Sequence, residues 1–595
     1  MAYERSFSQH GKKRNAYLSP IANLDRIIIL ITRRVTVQKR ILFFEVLILI
    51  ACLLAGSCGR PPSSEASLSA ASQLIRPEAL RAHVEFLADD ALEGRGTGSR
   101  GHDLAVKYLR AQFAALGLRG GAENGSYFQR VPLLRTEVQT AATSLVLGGM
   151  AQSRNLTYGT DFALIDTHAS QEGEFSGPVV FVGFGISAAE LNYDDYAGLD
   201  VKDKVVAFLS DAPVSFPATL RAYYSDNEVK RGNAAAHGAA GIIELRTPSE
   251  EKRFPWPFVL RELAIGWNSL RWREADGRPH GLGDRIQFWA LLNRSGSEAL
   301  CAGESHSLDE LFQAAAGQAK LPVFPLEKTA AVRYRSLHTP VESMNVISQL
   351  EGSDAELRDE YVVLSSHVDH LGIGPEVAGD TIYNGALDSA AGCAVLVEVA
   401  RAFKAAGVRP KRSIIFLAVT GEEEGLLGSD YFACHPTVPA GRILADINVD
   451  GGGAALFPIK DVVLYGHEHS SLGPMARQSA TEAGLDVSPD PWPEEVYFIR
   501  QDAYPFIRKG VPALYVDTGV KSLDPKVDGL ALLRRWNVTI YHSPKDDVQQ
   551  DLDYESGARF SRFVFRLCHA VANGDERPKW NQGDFFGQKF RTPAQ

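Results

Sequence analysis

Apolar and polar positions divide the chain into three textures. From Arg76 to about Leu134, ALRAHVEFLADD and DLAVKYLRAQFAALG carry apolar residues at helical spacing, with the turn-rich EGRGTGSRG between them and a stop at Gly117. From about Thr136 to Phe324 the pattern breaks into short β-like runs, PVVFVGFG, DKVVAFLS and AGIIEL, separated by turn residues. One helical stretch, AAAHGAAG before Gly241, interrupts them. From about Leu326 onward, near-continuous apolar runs (YVVLSSH, RSIIFLAVT, RILADINVD, DVVLYG, VPALYVD) alternate with helical patterns such as SAAGCAVLVEVARAFKAAG and LLGSDYFACHP. Strands apolar on both faces, with helices between them, predict an α/β fold: a mostly parallel mixed sheet flanked by helices. The expected organisation is a helical part over 76–135, a separate β-rich insert over 136–325, a catalytic part over 326–575 and a tail over 576–595.

The N-terminal 75 residues have a different character. Residues 1–57 hold nine Lys/Arg against three acids, so the net charge of −10 for the whole chain becomes −16 beyond them. The basic stretch ends at Lys39-Arg40. An apolar run from Ile41 to Ala55 follows and closes on Gly56-Ser57-Cys58. A basic region, an apolar region and small residues are the three parts of an export signal. Fifteen apolar residues fall short of the ~20 that span a bilayer. Small residues running into a cysteine resemble a bacterial lipobox, which implies lipidation at Cys58, a periplasmic or outer-membrane-anchored product, and a Pro/Ser/Ala tether over 58–75. The 36 residues before Val37 are unusual for a leader and point to a later start codon. The length of 595 residues implies several domains. The acidic balance gives no reason to expect nucleic acid.

Chemistry-bearing residues gather where the predicted strands end, the place where α/β sheets bind ligands. His367 and Asp369 follow YVVLSS. Asp388 lies in YNGALDSAAG, between a glycine turn and a helix. Glu422, Glu423 and Glu424 follow SIIFLAVT. Asp450 ends RILADINVD, and His542 follows a β-like run in IYHSPKDD. Taken singly, each has an ordinary structural use, Asp388 as a helix cap above all. Together, His367, Asp388, Glu423, Asp450 and His542 form an imidazole and carboxylate inventory that suits zinc. Five ligands overfill one catalytic zinc. Two Zn2+ per chain sharing a carboxylate account for all five, and paired metals are a hydrolytic device.

The strings SSHVDHLG, GALDSAAG, GEEEGLLGS, INVD and YHSPKDD, in that order, resemble the di-zinc aminopeptidase family. That family includes secreted bacterial leucyl aminopeptidases, aminopeptidase Y and, more distantly, glutamate carboxypeptidase. The resemblance implies that Asp388 bridges the metals, that His367 and Asp450 complete one site, and that Glu423 and His542 complete the other. It further implies Glu422 as general base, Asp369 as the residue orienting His367, and Tyr541 as a hydrogen-bond donor to the tetrahedral oxyanion, although a tyrosine there also serves as core packing. LNYDDYAGLDVKDKVVAFL and NAAAHGAAGIIEL look like a protease-associated domain. QDAYPFIRKGVPALYVDTG is similar to the segment that carries a further aspartate behind the ligands, here Asp502. One departure is visible: Leu387 stands where small family members often have Asn.

The expected activity is hydrolysis of peptides by an exopeptidase, most readily an aminopeptidase. A carboxypeptidase would use arginines for the terminal carboxylate, and Arg500, Arg508, Arg534 and Arg535 lie near the site-bearing segments. A single-zinc glutaminyl cyclase and a non-catalytic binding homologue are the other readings. Neither the oligomeric state nor the pairing of Cys301, Cys393, Cys434 and Cys568 is fixed by the sequence.

Overall fold

The structure, a computed structural model, describes residues 64–149, 153–281, 285–317, 320–405 and 407–590. The segment expected to be an export signal, the apolar run and Cys58 lie outside the described residues. Two compact units are present, residues 1–67 and 68–595. Of the first, only the opening residues of a helix, Ser64–Ser72, are described. That helix lies within the 58–75 stretch whose composition predicts a flexible tether. All the described strands and all the remaining described helices belong to the second unit.

The main sheet is built in the order Asp486–Ser488, β6 (Asp461–Tyr465), β7 (Ala513–Thr518), β5 (Ile443–Val449), β3 (Tyr361–His367), β4 (Ser413–Val419), β2 (Val323–Leu350), β1 (Phe128–Val138) and Leu270–Trp272. The four central strands β4, β3, β5 and β7 are parallel, and β2, β1 and Leu270–Trp272 extend the sheet antiparallel. The parallel strands are buried along their length apart from the last two residues of β7, as their unbroken apolar runs require. Helices α1 (Pro77–Leu87), α2 (Arg100–Ala115), α3 (Gly392–Ala405) and α6 (Tyr554–Asn573) contribute to one core beside the sheet. Helix α3 is apolar almost all round and correspondingly buried. Residues of α4 (Leu427–Cys434), together with Ala503, Tyr504, Phe506 and Ile507, pack against the other face.

From β3 the chain passes to β4 on one side and then crosses back to β5 on the other. A reversal of this kind opens a crevice at the carboxyl end of the strand where it happens. His367 is the last residue of β3.

Between β1 and β2 the chain forms a second sheet from Arg154–Leu156, Ser144–Gly148, the first half of β2, Glu172–Val182, Val205–Leu209, Gly241–Leu245, Trp289–Leu292 and Phe162–Asp166. Strand β2 belongs to both sheets. Arg335 still pairs with Glu172 of the insert, and Ser336 already pairs with Val138 of β1. The insert carries more helix than its apolar runs indicate. Beside Asn227–Ala236 there are Ala218–Ser225, Trp256–Ile265, Arg294–Cys301 and Leu308–Ala316, the last with a Ser307/Glu310 capping box.

Residues 580–590 of the expected tail pack onto the rest of the fold. Phe586 is fully buried, Trp580 Nε1 donates to the Gly510 carbonyl at 2.9 Å, and Phe585 meets Tyr223 of the insert edge-on at 5.2 Å. Among the described residues the four cysteines are unpaired thiols.

Candidate active site

The EGRGTG turn ahead of α2 is a scaffold for the site. Arg95, 1 % exposed, spends its guanidinium on four main-chain carbonyls: Val368 (2.9 Å), Leu87 (2.5 Å), Asn384 (2.6 Å) and Gly385 (2.9 Å). It thereby fixes the two loops that carry Asp369 and Asp388. Gly94, at φ +66°, passes so close to the Tyr383 carbonyl that a Cβ would lie 2.4 Å from it, so only glycine fits. Thr97, two residues beyond Arg95, donates to Asp369 Oδ2 at 3.0 Å.

His367 Nε2 lies 3.0 Å from Asp450 Oδ1 and 3.1 Å from Asp388 Oδ1. Its ring is oriented from behind by Asp369, but through the main chain: Nδ1 donates to the Asp369 carbonyl at 3.1 Å. Asp369 is the residue expected to orient His367, and its main-chain carbonyl is the atom that the ring nitrogen meets. A side chain two residues on cannot fold back onto the ring while Thr97 and the Glu422 N–H, at 3.3 Å from Oδ1, both hold it. Asp369 positions the backbone of Glu422 instead.

Asp388 sits in an irregular turn, Ala386–Ala391, ahead of α3. Its N–H and that of Leu387 are both accepted by Asp546, at 3.1 Å each. The departure at Leu387 is thus met by a carboxylate reaching in from the YHSPKDD loop. Burial raises Asp546 to about 6, against the opposing pull of His370 and these N–H groups.

Glu423 is held from two sides. Oε1 lies 2.5 Å from His370 Nδ1, and Oε2 lies 3.0 Å from His542 Nε2, which is also 3.5 Å from Asp388 Oδ2. His370 is a site residue missing from the predicted set, although it follows His367 and Asp369 closely on the same segment. His542 does not follow a strand, as expected, but the helix α5 (Gly529–Thr539), started by an Asp528 cap. The β-branched WNVTI resembles a strand, and the cap decides against it. Behind His542, Glu262 Oε2 of the insert helix Trp256–Ile265 accepts from Nδ1 at 2.9 Å. No local pattern could have announced a partner 280 positions away.

Tyr541 stacks on the His542 ring, 3.8 Å between centroids and 25° between planes. Asp502 is buried behind the site, accepting from Ser429 Oγ at 2.5 Å, and burial raises it to about 7. Glu424, the third glutamate, turns away from the cluster and accepts the Ser269 N–H of the insert at 3.1 Å. Burial raises it to about 8. Glu422 stays in the cluster, its carboxylate within 4.8 Å of donor atoms of His367 and Glu423. Burial lifts Glu422 well above the ordinary range, with Glu423, Asp502 and Asp450 adding to it against His367.

A cavity of about 460 Å³ opens onto this cluster between the main sheet and the insert, with Asp388, Glu422, Asp450, Arg500, Tyr541 and His542 on its walls. Arg508 lines it too, but is engaged by Asp430 at 2.8 Å. Arg534 and Arg535 are exposed on α5.

The donor set fits a metal pair. His367/Asp388/Asp450 and His370/Asp388/Glu423 are two groups of ligand atoms, each within 4.8 Å, with Asp388 common to both. His542 Nε2 is buried without any hydrogen-bond partner while facing the second group. Crowded carboxylates around an unpaired imidazole lone pair call for a cation.

Residues 345–568 match Peptidase family M28. A "Probable zinc metalloprotease" of Pyrenophora tritici-repentis is 28% identical over 270 residues, covering 40% of this chain and 59% of that protein. A protein of the same description from Pyrenophora teres f. teres is 29% identical over 251 residues, 40% and 50% of the two chains. The chain thus spans little more than half the length of the curated relatives it matches. Among solved structures, an aminopeptidase from Aneurinibacillus sp. strain AM-1 aligns over 84% of this chain and 95% of its own, with 17% identity and a TM-score of 0.49. The five predicted ligands and Glu422 all fall inside the segment that matches Peptidase family M28.

Proposed function

We propose that the protein is a zinc-dependent exopeptidase, an aminopeptidase in the first instance, acting on peptides with two zinc ions per chain. The observation that carries this is the pair of donor groups sharing Asp388, with the Glu422 carboxylate beside them and a cavity in front. His367, Asp388 and Asp450 would hold one ion, and Asp388, Glu423 and His542 the other, with His370 supporting Glu423. When bound, zinc polarises the scissile carbonyl and makes the attacking water more acidic.

The chain's own residues do the rest. Glu422 takes the proton from the attacking water and delivers it to the leaving amine, and its raised affinity for a proton suits that shuttle. Asp369 and Thr97 keep its backbone in place. Tyr541, fixed against His542, lies on the cavity wall where it can donate to the oxygen that gains charge.

Arg500 favours a second reading. It lines the same cavity, and its nearest carboxylate, Glu495, is 3.5 Å away. A guanidinium so placed fits a substrate carboxylate, as a carboxypeptidase needs. Export and lipid anchoring at Cys58 remain part of the proposal on the sequence alone. The test is release of single residues from a free peptide, its N-acetylated twin and its C-terminal amide. Loss of turnover only on acetylation supports the aminopeptidase. Loss only on amidation supports the second reading, and equal rates on all three would end the exopeptidase assignment.

A further inference from the structure

We infer that the insert is a working part of the metal centre, with Glu262 as a positioning residue for the half-site that contains His542. This rests on the zinc reading above and adds to it that one half of the centre is built by two parts of the chain.

The two histidines at the heart of the cluster are supported differently. His367 gives its Nδ1 proton to the Asp369 carbonyl, two residues along the same segment. That support is local and does not involve the insert. His542 has no such support. It follows the exposed helix α5, at φ +53° in a turn, and its Nδ1 is answered only by Glu262. The donation settles which nitrogen carries the proton. With Nδ1–H committed to Glu262, Nε2 keeps its lone pair, and that is the buried nitrogen without a hydrogen-bond partner beside Glu423 and Asp388. A carboxylate behind a ligating imidazole fixes the ring and makes the facing nitrogen a better donor, and its loss typically weakens metal binding about 10–100-fold.

Glu262 is itself held. Its helix is followed by the turn Gly266–Ser269, whose Ser269 N–H binds Glu424, next to the ligand Glu423. The strand Leu270–Trp272 then joins the edge of the main sheet through Leu133–Arg135. One short stretch of the insert therefore reaches both sides of the second half-site, while the first is reached by none of these contacts.

The consequence is an asymmetry that general destabilisation would not produce. In wild-type, Glu262→Ala and Glu262→Gln proteins, zinc retention is measured by titration against a competing chelator, with no substrate present. The expected result is two ions in the wild type and, in Glu262→Ala, one ion held as tightly as before and one about 10–100-fold more weakly. Glu262→Gln, which keeps the shape and an accepting oxygen, should recover part of the loss. Cobalt substituted for zinc should show altered visible absorption from one of its two sites only. Equal weakening of both ions, or no weakening of either, overturns the inference while leaving the peptidase reading intact. A wild-type protein that retains no zinc overturns both.

Discussion

Glu422 and Glu424 share a sequence context and a half-buried location, yet their contacts differ. Glu422 has its main chain fixed by Asp369 and its carboxylate left among His367 and Glu423, whereas Glu424 is tied to the Ser269 N–H. In the proposed mechanism Glu422, not Glu424, is the residue that moves a proton. Glu422→Gln should lower kcat by about 10²–10⁴-fold, the usual range for a general acid–base group, while metal analysis still finds the wild-type zinc content. Retained turnover would remove Glu422 from the mechanism. At this scale the sequence is informative about ligands, because an ordered set of His, Asp and Glu at strand ends is rare in combination. It is silent about Glu262, Asp546, Arg95 and Ser269, whose roles consist of contacts with distant main chain or rings. It names Asp369 but not the atom through which that residue meets His367, since a backbone carbonyl leaves no mark in residue type.

Elements meet at a second charged cluster on the wall of the same cavity. Asp166 ends a strand of the insert, Arg231 lies on the helix Asn227–Ala236, and Arg271 belongs to the strand added to the main sheet. Arg231 and Arg271 (3.1 Å) both pair with Asp166, and His168 Nδ1 is 3.0 Å from it. Burial alone would raise the Asp166 carboxyl, but the two arginines and His168 outweigh it and hold it well below its ordinary value. A carboxyl depressed on folding stabilises above its unfolded pKa of about 3.9 and ceases to do so as pH falls through the folded value. Urea midpoints should therefore drop below about pH 4, and Asp166→Asn should flatten that drop while being less stable at neutral pH. An unchanged acid slope in the variant would show that other carboxylates carry it. Strands and the long helices are legible from their periodicity, because full burial leaves continuous apolar runs and helical faces. Helix α5 is not. Only Gly529 on it is buried, so no apolar face marks it, and the β-branched end misleads.

For the molecule as a whole, the acidic excess is concentrated functionally where it is hardest to bear. Asp388, Glu422, Glu423 and Asp450 converge with Asp502 behind them, and removing cations leaves that repulsion uncompensated. Ligand linkage gives about 2.7 kcal/mol of stabilisation for a site at a hundredfold excess over its Kd. Treatment with a chelator should accordingly lower Tm by several degrees, with recovery on adding zinc back. A Tm indifferent to chelation, with metal loss verified, would count against a structural contribution from the ions.

The shared strand β2 bears on how substrate gains entry. It runs 28 residues without a break, and at Arg335 and Ser336, where it leaves one sheet for the other, both neighbours stay in register with a partner strand. A door swings on residues free to change their backbone angles, and this junction offers none. Any widening of the cleft has to come as torsion, a small added twist distributed along a ribbon that the two sheets grip at either end. Such a coupling resembles a torsion spring more than a hinge: it restores itself and it resists large excursions.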